Sequence, residues 1–240
     1  MKVFFLLVLS HLLTDFVFQG KGLAQRKKES SLALVWHSLV FLACASILLS
    51  LLPLKIISGG LFVLLLILTV AHFLFDFLKN YLEVISPRRS FEWLILDQVL
   101  HLGFISLSWT YFNSLTLQSF VRLLKAESLS DKLILITMGY VIIWGGTHFV
   151  RRLLEKIPPI KEEPSEYNVG MIIGNLERIL IFTLVLVDQY AAVGLVLAAK
   201  SIARFEDLKK RDFAEYYLIG TLSSTLIAIL VGIIVRLLIS

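Results

Sequence analysis

The chain has 240 residues, of which 58% are hydrophobic and 17% charged, and its formal net charge is +5. Soluble domains are about 45–50% apolar and about 25% charged, so this composition indicates a polytopic, all-α membrane protein. The basic residues lie in short segments between apolar runs, as topology determinants do, and no basic domain is present that would bind a nucleic acid.

Apolar runs long enough to cross a membrane recur along the whole chain. Breakers such as Pro53, Gly59-Gly60 and Pro158-Pro159 separate them. The sequence therefore predicts about eight transmembrane helices, and the stretch 114–127 between two of them is amphipathic enough to lie in the interface. The predicted spans are 3–19, 31–52, 58–79, 91–112, 131–151, 168–188, 190–204 and 213–238.

Most Lys and Arg residues fall in the segments 20–30, 79–90, 151–167 and 204–211. The positive-inside rule places these segments in the cytoplasm and predicts that both termini lie outside. The polar stretch at 156–167 is interpreted as a cytoplasmic linker. It separates a five-span half, 1–155, from a three-span half, 168–240.

The first half carries ionisable residues inside its predicted spans. His11 and Asp15, His72 and Asp76, and Asp97 and His101 are each four residues apart, and His37 lies on the second span. Residues four apart share a helix face. At ~1.5 Å per residue, all seven lie within about 15 Å of the cytoplasmic end of their helices, with His deeper than Asp in each pair.

Ionisable groups inside a membrane are costly unless they face one another, water or a ligand. Imidazole and carboxylate are ligands of zinc, manganese and iron, so His11, Asp15, His37, His72, Asp76, Asp97 and His101 are candidate metal ligands. Asp15, Asp76 and Asp97 are also candidate catalytic bases. The alternative interpretation is a polar network in which His–Asp hydrogen bonds fix helix packing.

A second set of polar residues could contact a substrate. Gln19, Lys79 and Gln98 flank the His/Asp pairs. In the second half, Arg178, Lys200 and Arg204 could form a cationic cradle for a phosphate or carboxylate, with Glu177 beside them. The alternative is that these second-half charges pair with one another and hold the last three helices together.

The motifs H-x-x-x-D-F-x-x-Q at His11, H-x-x-x-D-x-x-K at His72 and D-Q-x-x-H at Asp97 resemble those of a bacterial membrane family, domain of unknown function 3307. The resemblance covers about residues 4–110 and implies a bacterial cytoplasmic-membrane protein without an established activity. The His and Asp spacing is also similar to the ligand pattern of the all-helical zinc phospholipase C and single-strand nuclease class.

These patterns favour a membrane-embedded, metal-dependent hydrolase that faces the cytoplasm and acts on a lipid or isoprenoid phosphate. Membrane lipid is its expected partner, and a divalent zinc, manganese or iron ion its expected cofactor. Two alternatives remain open: a transporter or channel for a divalent cation or proton, and a non-catalytic membrane scaffold or sensor.

Overall fold

The computed structural model describes residues 1–53, 59–157 and 169–240. All regular secondary structure in these ranges is helical, with single 3-10 turns at Pro87–Arg89 and Asp207–Lys209. The all-α prediction is confirmed, whereas most of the predicted linker at 156–167 lies outside the described residues. The α-helices are α1 Lys2–Phe16, α2 Lys21–Glu29, α3 Ser31–Ser50, α4 Gly59–Ile85, α5 Ser90–Phe112, α6 Leu117–Leu123, α7 Leu129–Leu154, α8 Val169–Leu186, α9 Tyr190–Ala203 and α10 Arg211–Ile239.

Five of these helices, α3, α4, α7, α8 and α10, are long and apolar enough to cross a membrane. Their outward side chains are largely apolar, including Leu66 and Val70 on α4 and Leu226 and Leu230 on α10. A surface of this kind is suited to lipid rather than to water. The chain therefore has the features of a membrane protein, while the count of eight spans and the position of the termini stay predictions.

Helix α1 differs from the predicted span at 3–19 because it ends at Phe16. Its 15 residues extend over about 22 Å, less than the ~30 Å thickness of the hydrocarbon core. Nearly every side chain is buried, because α1 packs against both α3 and α5. Its hydroxyl groups bond within the helix, with Ser10 Oγ donating to the carbonyl of Leu6 at 2.6 Å. Helix α1 is thus an internal helix of its unit.

The basic segment 20–30, predicted as a loop, folds into α2. Lys, Arg, Gln and Ala favour helices, so a short polar helix can form there once it packs against α3 and α4. Similarly, the predicted interfacial stretch 114–127 contains α6. Phe120 of α6 is buried and meets the ring of Phe4 edge to face, at 5.1 Å between centroids.

The chain divides into two compact units, Met1–Met138 and Gly139–Leu238. Helix α7 contributes residues to both. In the first unit, α1, α3, α4 and α5 pack together, with α2 against α3. In the second, α8 packs against α9, and the fully buried Phe182 and Val185 of α8 lie close to glycines of α7 and α10.

Gly232 of α10 permits one of these close approaches. A Cβ atom built at this position would lie 2.6 Å from Val185 Cγ1 and 2.9 Å from Val185 Cβ. Both contacts are too short for carbon atoms, and β-branched Val185 has little freedom to move. Glycine at this position is therefore required for helix packing.

The Gly232→Ala variant should be destabilised by about 1–3 kcal/mol, the usual cost of overpacking a core. Gly194→Ala on α9 is the matched control, because its new Cβ would meet no atom within 4 Å. Thermal unfolding of the two purified variants in the same detergent compares them. Equal melting temperatures for the two variants would contradict the packing described here.

Candidate His/Asp centre

Four of the five histidines and three aspartates converge in the first unit. They come from four helices: two residues each from α1, α4 and α5, and one from α3. The histidines are at most 3% exposed and the aspartates at most 8%. The residues are His11, Asp15, His37, His72, Asp76, Asp97 and His101, and we call them the His/Asp centre.

Asp15 contacts polar side chains from three other helices. Its Oδ1 atom lies 3.1 Å from His37 Nε2 and 3.5 Å from His72 Nε2. Its Oδ2 atom accepts a hydrogen bond of 2.9 Å from Gln98 Nε2. One carboxylate therefore brings together α1, α3, α4 and α5.

Three imidazoles lie face to face and edge to face beside this carboxylate. The rings of His11 and His101 stack at 4.6 Å, and the ring of His72 stands edge-on to His101 at 4.5 Å. One potential ligand atom from each of the three rings lies within 4.8 Å of the other two. Two nitrogens that each bind one zinc ion at about 2.0–2.1 Å are at most about 4.2 Å apart, so small side-chain shifts would bring these three nitrogens onto a single ion.

A second set of ligand atoms overlaps the first. Atoms of Asp15, His37 and His72 also lie within 4.8 Å of one another, so that His72 belongs to both sets. A neutral imidazole has one nitrogen that accepts and one that carries a proton. The two sets are therefore alternative positions for one ion when His72 binds it through a single nitrogen.

The hydrogen bonds of His101 determine its tautomer. Its Nδ1 atom lies 2.8 Å from the backbone carbonyl of Asp97 and donates to it, which leaves the lone pair on Nε2. That Nε2 atom and Nε2 of His72 are buried and have no hydrogen-bond partner within the described part of the chain. Unsatisfied buried polar atoms cost about 1–3 kcal/mol each. A bound metal ion would satisfy both, so the residues fit such a group.

Aromatic side chains enclose the imidazoles. Phe41 stacks on His72 at 5.0 Å, and Phe75 meets His101 edge-on at 5.2 Å. Their apolar surfaces lower the local dielectric, which strengthens every electrostatic interaction inside the centre.

Two lysines neutralise two of the three carboxylates. Lys27 Nζ donates to Asp76 Oδ2 at 2.7 Å, and Lys79 Nζ lies 3.4 Å from Asp97 Oδ2. Among the described residues, Asp15 has no such lysine and faces imidazoles and Gln98 instead. Its negative charge is the one that a protonated imidazole or a metal ion would have to balance.

The three flanking residues that the sequence indicated all lie at this centre: Gln19, Lys79 and Gln98. Gln98 bonds to Asp15 and, at 3.2 Å, to Asp97, while its Oε1 atom lies 3.3 Å from His11 Nε2. Lys79 pairs with Asp97, and Gln19 accepts from Lys27 at 3.2 Å. These contacts are with side chains of the protein itself, so a role in holding substrate stays a prediction.

Lys27 is the residue that the sequence analysis missed. It was grouped with the topology determinants of segment 20–30, yet it is only 4% exposed and lies against Asp76. The numbers of charged residues could have indicated Lys27. Three aspartates in apolar helices require cations, and the segment 20–30 next to the first span contains basic residues.

The predicted second-half residues are all engaged within the second unit. Glu177 pairs with Lys200, and Arg204 lies 3.4 Å from Asp207. Arg178 is buried and donates to neutral acceptors, among them the carbonyl of Ile143 at 3.1 Å and Ser224 Oγ at 2.8 Å. The three cations thus have different partners, and a shared anion cradle stays a prediction.

The Lys79–Asp97 pair provides a test of the electrostatics. Lys79→Met should destabilise the protein by about 3–5 kcal/mol, because it leaves the buried Asp97 carboxylate without its cation. Adding Asp97→Asn should recover part of that loss, since the amide carries no charge. Thermal unfolding in detergent measures both, with the exposed Lys125→Met as the control. A double variant no more stable than Lys79→Met would contradict this account.

Comparisons with known proteins place the whole centre within one family segment. Comparison with curated proteins and with solved structures found no match. Residues 3–129, more than half of the chain, match the family described as protein of unknown function (DUF3307). That segment contains all seven residues of the His/Asp centre, as well as Lys27, Lys79 and Gln98. The chain is therefore a member of the DUF3307 family.

Proposed function

We propose that this protein is a membrane-embedded, metal-dependent hydrolase whose His/Asp centre binds a divalent zinc, manganese or iron ion. The observation that carries the proposal is the convergence of ligand atoms from His11, His72 and His101 within 4.8 Å. Three imidazoles with a further open position are a ligand set of catalytic zinc sites. Such an ion supplies a water molecule of lowered pKa and polarises a phosphoryl or carbonyl oxygen.

The side chains around the three imidazoles have separate roles in this proposal. Asp15 Oδ1, 3.5 Å from His72 Nε2, is the general base that accepts a proton, because the other two carboxylates are bound to lysines. His37 Nε2, 3.1 Å from the same oxygen, holds that carboxylate in place. Gln98 fixes its second oxygen.

The proposed substrate is a lipid or isoprenoid phosphate. The centre is built from apolar helices whose outer surfaces suit lipid, and a substrate with an apolar tail would be held in the same membrane. Because Lys79 and Lys27 neutralise two of the three carboxylates, a divalent ion would give the centre a net positive charge, which favours an anionic group. Release of inorganic phosphate from vesicles that contain such lipids would measure this activity.

The proposed topology has eight spans, both termini outside and the His/Asp centre near the cytoplasmic side of a bacterial inner membrane. Eight helices have 14 residues or more within the described ranges: α1, α3, α4, α5, α7, α8, α9 and α10. The distribution of Lys and Arg supports the orientation. The short α1 and α9 would have to be enclosed by longer helices or by a locally thinned bilayer.

Transport of a divalent cation or proton is the second candidate function. Burial favours it, because His11 and His37 are completely buried and the ligand side chains are enclosed. A hydrolase must admit a substrate to such a centre, whereas a transporter needs only to admit an ion. Ion uptake into proteoliposomes, measured beside phosphate release, distinguishes the two functions.

The metal proposal is tested most economically through His72, which belongs to both ligand sets. Wild-type protein purified in detergent should carry close to one equivalent of metal by mass spectrometry, and His72→Ala should lose it. His148→Ala is the matched control, because His148 is the remaining histidine and lies on α7, outside the centre. His72→Ala should also lose phosphate release, whereas His148→Ala should keep it.

Absence of metal from wild-type protein expressed with these metals supplied would contradict the hydrolase proposal. A metal content that falls equally in His72→Ala and His148→Ala would contradict the proposed ligand set. Full biological function in a folded His72→Ala variant would instead identify a scaffold or sensor.

A further inference from the structure

Lys27 is unusually well fixed for a lysine of a short polar helix. Its backbone carbonyl accepts a hydrogen bond of 2.8 Å from Asn80 Nδ2 of α4. The next residue, Lys28, pairs with Glu83 of the same helix at 2.9 Å. Two contacts therefore attach α2 to α4 and hold the Lys27 side chain in the His/Asp centre.

The Lys27 ammonium group binds the carboxylate oxygen that also faces the imidazoles. Asp76 Oδ2 lies 2.7 Å from Lys27 Nζ, 3.4 Å from His37 Nε2 and 3.9 Å from His72 Nε2. Gln19 Oε1, 3.2 Å from Nζ, accepts a second hydrogen bond. Asp76, His37 and Gln19 together provide an imidazole and oxygen ligands, which is a set that a divalent cation could use.

Burial of the Lys27 ammonium group has a free-energy cost that its interaction partners must offset. The side chain of Lys27 is 3% exposed, and a buried ammonium group is stable only when paired and hydrogen-bonded. The ammonium group binds two oxygen atoms, Asp76 Oδ2 and Gln19 Oε1, that a second ion of a dinuclear centre would need as ligands. In such centres the two ions lie about 3.5–4 Å apart and share carboxylate ligands.

We propose that Lys27 is a built-in cation that occupies the Asp76 end of the His/Asp centre, takes the place of a second metal ion and so limits the centre to one divalent ion. This inference rests on the metal binding of the proposed function. It identifies Lys27 as a positioning residue: its ammonium group binds Asp76 and keeps that carboxylate from joining the ligands of the first ion.

The test is a zinc titration of the detergent-purified full chain against a chromophoric chelator. Lys27→Met removes the ammonium group, and Lys27→Gln is a second uncharged variant whose amide can still bond to Asp76. Either should bind a second equivalent of zinc, or bind the first with a roughly tenfold change in affinity, the lower end of the effect of residues that orient metal ligands.

Two controls test whether the effect depends on the positive charge at position 27 or on the total charge of α2. Arg26→Met removes a positive charge from an exposed position on the same helix. Lys27→Arg keeps the positive charge in place. Both should bind zinc as the wild type does, and size-exclusion chromatography identifies the variants that remain folded.

The outcomes distinguish this inference from the proposed function. Wild-type stoichiometry and affinity in both folded uncharged variants would overturn the inference and leave the hydrolase proposal intact. Zinc bound by Lys27→Met but not by the wild type would contradict both proposals, because the inference requires that the wild type binds one ion. No zinc in any variant would overturn both, and a second equivalent in Lys27→Arg would overturn the inference alone.

Discussion

Three carboxylates enclosed by apolar helices are the constraint on which the first unit depends. Asp15, Asp76 and Asp97 are each at most 8% exposed, and an isolated buried charge would cost several kcal/mol. Two of them are neutralised by lysines, and the third, Asp15, is hydrogen-bonded to an imidazole and an amide. Removing any one of these partners leaves a charge that the low-dielectric surroundings cannot stabilise.

This constraint explains features of the fold that hydrophobic packing does not explain. Asp15 of the buried α1 contacts partners on α3, α4 and α5 at once, which fixes the position of α1 relative to these helices. The polar α2 is fixed to α4 because its lysine is needed at Asp76. The same arrangement leaves Nε2 of His72 and of His101 without a hydrogen-bond partner among the described residues, and these are the atoms that the proposed metal ion would bind.

Much of the site could be predicted from spacing alone. The interval of four residues places His11 with Asp15, His72 with Asp76 and Asp97 with His101 on single helix faces, and their similar distances from the predicted helix ends place the three pairs at one depth. Spacing could not show which nitrogens are free, because the tautomer of His101 depends on a backbone carbonyl. Nor could it show that His72 belongs to two ligand sets, which is a property of four packed helices.

The numbers and positions of charged residues predicted the charge pairs less well than residue spacing predicted the His/Asp centre. The basic segment 20–30 was interpreted through the positive-inside rule, which treats all of its cations alike, whereas only tertiary packing distinguishes buried Lys27 from the exposed Lys28 beside it. In the second unit, Glu177 and Lys200 do pair, as a simple balance of charges suggests. Arg178 instead donates to neutral acceptors, because its neighbours on α7 and α10 are a carbonyl and hydroxyl groups.

The central claim is that imidazoles of the first unit bind one metal ion. X-ray absorption at the zinc edge of the zinc-loaded, detergent-purified protein tests it most directly, because imidazole gives a characteristic multiple-scattering pattern. The account predicts about three imidazole nitrogens at about 2.0–2.1 Å, with oxygen completing the coordination. A shell made of oxygen alone, or zinc that is removed by gel filtration, would contradict it.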